Sequence, residues 1–103
     1  MANFVHAAKA SDIPPGSMKT IMVSGKRIAL ANVDGVYFAV DDTCTHAQCS
    51  LGGEGFLDGN VVTCGCHGAQ FDVETGGVLA LPATASLSSY PVKQEGDDLL
   101  VAL

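Results

Sequence analysis

The sequence predicts a small all-β domain, an antiparallel sandwich or barrel. Three observations lead there. Strand-like segments recur at a spacing of about 8–12 residues with turn signals between them. Twelve Gly and four Pro among 103 residues supply those turns. Only Ala7 to Pro15 has helical character; Ser11-Asp12 can open a turn there, and Pro14-Pro15 limits it. The length fits one domain over 1–103, with no repeat or linker.

The strands follow in order. Met18 to Val23 and Arg27 to Asn32 flank Ser24-Gly25-Lys26, a hairpin connection. Val36 to Val40 is rich in β-branched and aromatic residues and follows a turn at Val33-Asp34-Gly35, completing a meander. Leu57 to Thr63 reads as strand, turn at Asp58-Gly59-Asn60, and strand. Ala69 to Val73 leads into a tight turn at Glu74-Thr75-Gly76-Gly77. Ser86 to Val92 and Leu99 to Leu103 are closing strands, with Gln94 to Asp98 turning between them.

Composition narrows the function. With 48% hydrophobic and 16% charged residues the chain can bury a core, which argues against disorder. Five Lys and Arg face eleven Asp and Glu, a net charge of −6. That balance repels nucleic acid, whose binding needs clustered cations. It suits docking to a basic partner through a faster encounter, and it also serves solubility. No basic segment followed by an apolar run opens the chain, and no stretch approaches the roughly 18 apolar residues of a membrane span. The chain reads as a soluble, cytoplasmic monomer without a membrane partner.

The chemistry is concentrated in two short motifs. Cys44-Thr45-His46 pairs a thiol with an imidazole, and Cys64-Gly65-Cys66-His67 does so again after residues 47–63. Both halves fall where strands end and loops begin, the usual place for binding chemistry on a rigid sheet. Two Cys and two His can ligate a [2Fe–2S] cluster in which His replaces Cys on one iron. Cys44 and Cys64 would then hold one iron, and His46 and His67 the other, with the histidines outermost. Zinc is the main rival, but structural zinc sites favour wider spacings than Cys-x-His. A Cys/His nucleophile would leave two Cys and one His unexplained. A redox Cys-x-x-Cys is absent, since one residue separates Cys64 from Cys66.

Cys49 and Cys66 flank these donors. If the two loops meet over a cluster, the thiols face each other and a Cys49–Cys66 disulfide would staple them. The alternative is two free thiols packed as small apolar groups. His6 has no partner motif and reads as an ordinary strand or surface residue. Gly52, Gly53 and Gly55 could free backbone N–H groups for cluster sulfurs, or form a loop with no electronic role. Leu51 and Leu81-Pro82-Ala83 could shield the site from water.

Cys44-Thr45-His46 followed by Cys64-Gly65-Cys66-His67-Gly68 resembles the Rieske iron–sulfur signature, Cys-x-His then Cys-x-x-His. The likeness extends to Glu54-Gly55, Gly59-Asn60-Val61-Val62, Gly68-Ala69-Gln70-Phe71-Asp72, Thr75-Gly76 and Leu81-Pro82-Ala83. It covers about residues 4 to 103 and is similar to the small soluble Rieske ferredoxins. The resemblance implies an antiparallel β-sandwich of stacked sheets, with two cluster loops as a small subdomain over approximately 42–84. It implies one [2Fe–2S] cluster and one-electron transfer, without catalysis, from a flavin or iron–sulfur ferredoxin reductase to a terminal oxygenase.

One departure stands out. Oxygenase ferredoxins generally lack a second cysteine pair, whereas Cys49 and Cys66 match the disulfide of the high-potential proteins of cytochrome bc complexes. Those proteins also carry Ser and Tyr hydroxyls toward sulfur, where this chain has Ala69 and Phe71. The resemblance therefore implies a low potential despite the extra pair. The second functional reading is a Rieske subunit of a larger redox enzyme. A respiratory version normally needs an anchor; nitrite-reductase small subunits often lack some of the ligands.

Overall fold

The computed structural model describes residues 4–43, 50–65, 68–80 and 87–102. Among them, eleven strands make three antiparallel sheets. The outer sheet takes β1 (Phe4–Lys9), β11 (Asp98–Ala102) and β10 (Val92–Glu95), in the order β1-β11-β10. The middle sheet is β2 (Met18–Val23), β3 (Lys26–Val33), β4 (Val36–Asp41) and β9 (Ser89–Tyr90). The third is a meander of β5 (Phe56–Asp58), β6 (Val61–Thr63), β7 (Gln70–Asp72) and β8 (Val78–Ala80). The expected antiparallel sandwich of stacked sheets is the observed fold.

Turn chemistry sets the registers. Ser24 and Gly25 have φ of 50° and 80°, and Asp34 and Gly35 have 52° and 90°. Paired positive φ values twist a two-residue loop to match its flanking strands. Val23 accordingly pairs with Lys26, and Val33 with Val36. Lys26 thus belongs to a strand, not to the expected turn. At the next hairpin Gly59 takes φ 59° between the paired Asp58 and Val61.

The middle sheet is covered on both faces, which explains the continuous apolar run in β3. Ile28, Leu30 and Ala39 pack with Val23, Leu99 and Val101 toward the outer sheet. Ala29, Ala31 and Val40 pack with Leu51, Val62, Cys64, Phe71 and Val73 toward the third. Successive residues of a strand face opposite sides, so each strand serves two cores. Each fully buried large side chain contributes roughly 1.5–3 kcal/mol.

Three elements differ from the sequence reading. Ala7 to Lys9 is strand, not helix, and only Ala10–Asp12 makes a 3-10 turn. The strand wins because β11 offers an antiparallel partner from Phe4 opposite Ala102 to Lys9 opposite Asp98, with one register shift between His6 and Ala8 that leaves Ala7 unpaired. The stretch ending at Val92 is not one strand, because Pro91, without an N–H, breaks it. Tyr90 pairs with Ala39 in the middle sheet, while Val92 pairs with Val101 in the outer one. A one-turn helix, α1 (Leu51–Glu54), stands where only a loop is legible.

Candidate metal centre

Cys64 follows β6 directly. Thr63 pairs with Gln70, the Cys64 N–H donates to the Ala69 carbonyl at 2.7 Å, and the Gly68 N–H donates to the Cys64 carbonyl at 3.0 Å. Gly68 takes φ 79°, a conformation that favours glycine. The base of the second motif is therefore pinned on both sides. Cys64 is 1% exposed and belongs to the same core as Leu51, Val62, Ala69 and Phe71.

The first motif also has a hydrogen-bonded base, built from one bridge pair. Thr43 and Ser50 form an antiparallel bridge, and the Leu51 N–H donates to the Asp42 carbonyl at 2.7 Å. Ser50 caps α1 by accepting from the Gly53 N–H at 3.0 Å, and the Gly55 N–H donates to the Leu51 carbonyl at 2.9 Å. The N–H groups of Gly53 and Gly55 are thus consumed inside α1 and are not free for cluster sulfurs, the role entertained for them above. Gly55 is needed for a different reason. A Cβ there would stand 2.5 Å from the Leu51 oxygen and 2.9 Å from that of Thr63. Close backbone contact at this point brings α1 against β6 and joins the two motif bases.

A third segment returns beside them. The Leu87 N–H donates to the Gly76 carbonyl at 2.8 Å, and the Asp41 N–H donates to the Ser88 carbonyl at 2.9 Å. Tyr90 Oη donates to Asp41 Oδ1 at 2.6 Å. Burial and this carboxylate together push the Tyr90 phenol above its ordinary value.

Asp42 is the polar residue that the sequence reading missed. It is fully buried, and it accepts from Thr20 Oγ1 at 2.8 Å, Ser50 Oγ at 2.7 Å and Arg27 Nη2 at 3.0 Å. No sequence signal ties residue 20 to residue 42. An open depression lined by Gly25, Lys26, Arg27, Asp41 and Thr43 lies beside this network.

Of the expected site residues, Cys64 is placed as above. Cys44, His46, His67, Cys49, Cys66 and Leu81-Pro82-Ala83 lie outside the described residues. Leu51 is buried in the core with Cys64. His6 lies on the outer sheet, with Nε2 3.2 Å from Asp98 Oδ1. Among the described residues no helix is long and apolar enough to cross a membrane.

The Rieske [2Fe-2S] domain profile matches residues 3–91. The chain belongs to the Rieske [2Fe–2S] family. It is 41% identical over 98 residues to the biphenyl dioxygenase ferredoxin subunit of Pseudomonas sp. (strain KKS102), covering 95% of this chain and 90% of that protein. It is 45% identical over 94 residues to the ferredoxin component of biphenyl 2,3-dioxygenase from Rhodococcus jostii (strain RHA1), covering 91% and 87%. Its fold matches a chain from the complex of reduced oxygenase and oxidized ferredoxin in carbazole 1,9a-dioxygenase, with TM-score 0.89, 35% identity, and 96% and 92% coverage.

The cofactor of this Rieske protein is a [2Fe–2S] cluster, and the protein is an electron carrier rather than a catalyst. The donor set fits that group: two thiols and two imidazoles, with Cys64 in a water-shielded apolar setting.

Proposed function

We propose that this Rieske protein carries single electrons from a ferredoxin reductase, flavin or iron–sulfur, to the terminal oxygenase of a ring-hydroxylating system. It would act as a soluble cytoplasmic monomer. The observation that carries the reading is the pair of Cys/His motifs, each seated on a hydrogen-bonded loop base, in a chain similar over nine-tenths of its length to ferredoxin components of dioxygenases. The whole chain, 1–103, acts as one domain, with residues 42–84 as the unit that grips the cluster.

Cys44, His46, Cys64 and His67 are its ligands, and Cys49 and Cys66 form a disulfide across the same loops. The bound cluster supplies one-electron redox chemistry within the Rieske range of about −150 to +300 mV. The protein orients it on the two loop bases, and the Asp and Glu surplus speeds partner encounter.

Buried Ala69 and Phe71 bring no hydroxyl toward sulfur, so the potential lies toward the low end of that range. Protein-film voltammetry checks this; a midpoint above about +150 mV, in the upper part of the range, contradicts it. The electron-carrier role is tested by reconstitution. Oxygenase turnover should require this protein together with a reductase. Variants Cys44→Ser and Cys64→Ser should lose iron and visible absorption. Undiminished turnover without the protein, or full iron in both variants, refutes the reading.

A further inference from the structure

We propose that Asp42 is the positioning residue for the segment carrying Cys44 and His46; this rests on those two residues being ligands. The mouth of that segment is one bridge pair, Thr43 with Ser50. A single pair at the end of a sheet is a weak closure. Asp42 reinforces it from outside. Its Oδ1 accepts from Thr20 Oγ1 on β2, and its Oδ2 accepts from Ser50 Oγ at the returning side and from Arg27 Nη2 on β3. Thr20 Oγ1 and Ser50 Oγ also lie 3.0 Å apart, so the two hydroxyls meet side by side on the one carboxylate. The Asp42 backbone joins in, donating to the Arg27 carbonyl at 3.2 Å and accepting from Leu51.

Net stability alone does not account for such a group. Burying a carboxylate costs several kcal/mol before its partners compensate, and a packed apolar residue often serves stability as well. What a fully satisfied buried network supplies is a single geometry. Here that geometry is fixed two residues before Cys44. Ser50 reaches both ways, capping α1 through Gly53 while donating to Asp42. The same residue therefore ties the first motif to the helix that abuts β6 and the second motif. Asp42 acts through these partners and is not itself a ligand.

The test uses the iron-loaded full chain and the variants Asp42→Asn, Ser50→Ala and Thr20→Val. Asn32→Ala serves as a control, because Asn32 is a buried polar residue at the opposite end of β3. The readouts are iron content, midpoint potential and the electron paramagnetic resonance of the reduced protein. The three network variants should retain iron, shift the midpoint and change the g-values. The control should lower the unfolding temperature and change neither. If Asp42→Asn does not fold, the other two variants decide. Wild-type midpoint and g-values in both Ser50→Ala and Thr20→Val overturn the proposal, as does an equal shift in the control. Cys44→Ser is read separately: full iron in that variant defeats the ligand reading and not the network.

Discussion

The carbonyl oxygen of Leu87 stands where residue 76 would place a Cβ, so only glycine fits there. Gly76 also takes φ 80°, and its carbonyl accepts the Leu87 N–H at 2.8 Å. Two independent demands thus fall on one position. Gly25 shares the same φ of 80° but faces open space. Gly25→Ala should cost about 1–2 kcal/mol, the left-handed penalty alone. Gly76→Ala should exceed about 3 kcal/mol, because backbone must also move. Urea denaturation of both variants checks this; equal losses would show that Leu87 yields freely.

Ala69 and Phe71 are fully buried beside Cys64. Ala69→Ser with Phe71→Tyr should raise the midpoint potential, because hydroxyl donors stabilise the extra negative charge of the reduced state. Each hydroxyl that fails to find an acceptor would cost about 1–3 kcal/mol of stability. Voltammetry with thermal unfolding reads both effects. An unchanged midpoint in a folded double variant would remove the argument for a low potential.

Asn32 is a buried amide with every role filled. It donates to the Ile13 carbonyl at 2.7 Å and to Tyr37 Oη at 3.2 Å, and it accepts from the Gly35 N–H at 2.8 Å. Asn32→Asp removes the donors and leaves the Ile13 oxygen facing a carboxylate. A loss of about 1–3 kcal/mol or more is expected from chemical denaturation. Asn32→Asp with wild-type stability would mean that water replaces the amide.

The acid and alkaline limbs of stability have different owners. The hydrogen bond from Lys9 and then that from His6 hold Asp98 below its ordinary value, and the Asp98 bond holds Lys9 above its own. A lowered carboxylate stabilises above its ordinary range, and that support is lost as pH falls through the lowered value. A raised lysine stabilises below its ordinary range, and that support is lost as pH rises through the raised one. The difference between wild type and Asp98→Asn should therefore shrink on both sides of neutrality. Unfolding temperatures across pH test this; a difference that grows in acid contradicts the assignment.

Tyr90 adds a second alkaline contribution. Its phenol is raised, so its support is present below about pH 10 and disappears as pH rises through the raised value. Tyr90→Phe should cost about 1 kcal/mol near neutrality and nothing once the wild-type phenol ionises. A loss that is constant with pH would place the effect in packing instead.

Much of this was legible in the chain. Ser24-Gly25 and Asp34-Gly35 carry the positive φ values that their hairpins need, and alternation or continuous apolarity marks the strands around them. The two Cys/His motifs carried the resemblance to the Rieske family that the domain match over residues 3–91 bears out. What escaped depends on distant partners. Ala7 and Ala8 open a stretch that looks helical until β11 is set beside it. Leu51-Gly52-Gly53-Glu54 is a poor helix former, and it turns because Ser50 caps it and Leu51 is buried. Asp42 looks like any acidic strand end until Thr20, Arg27 and Ser50 converge on it.

The pairing of β1 with β11 sets an order of assembly. The hairpins of the middle and third sheets close over a few residues each, whereas His6 meets Asp98 across 92 positions of sequence. Closing so long a loop carries a larger entropy cost and comes late in folding. The scaffold beneath the motifs can therefore consolidate while the outer sheet is still open. During synthesis the hairpins from β2 to β8 can pair before β11 is available to seal the other face.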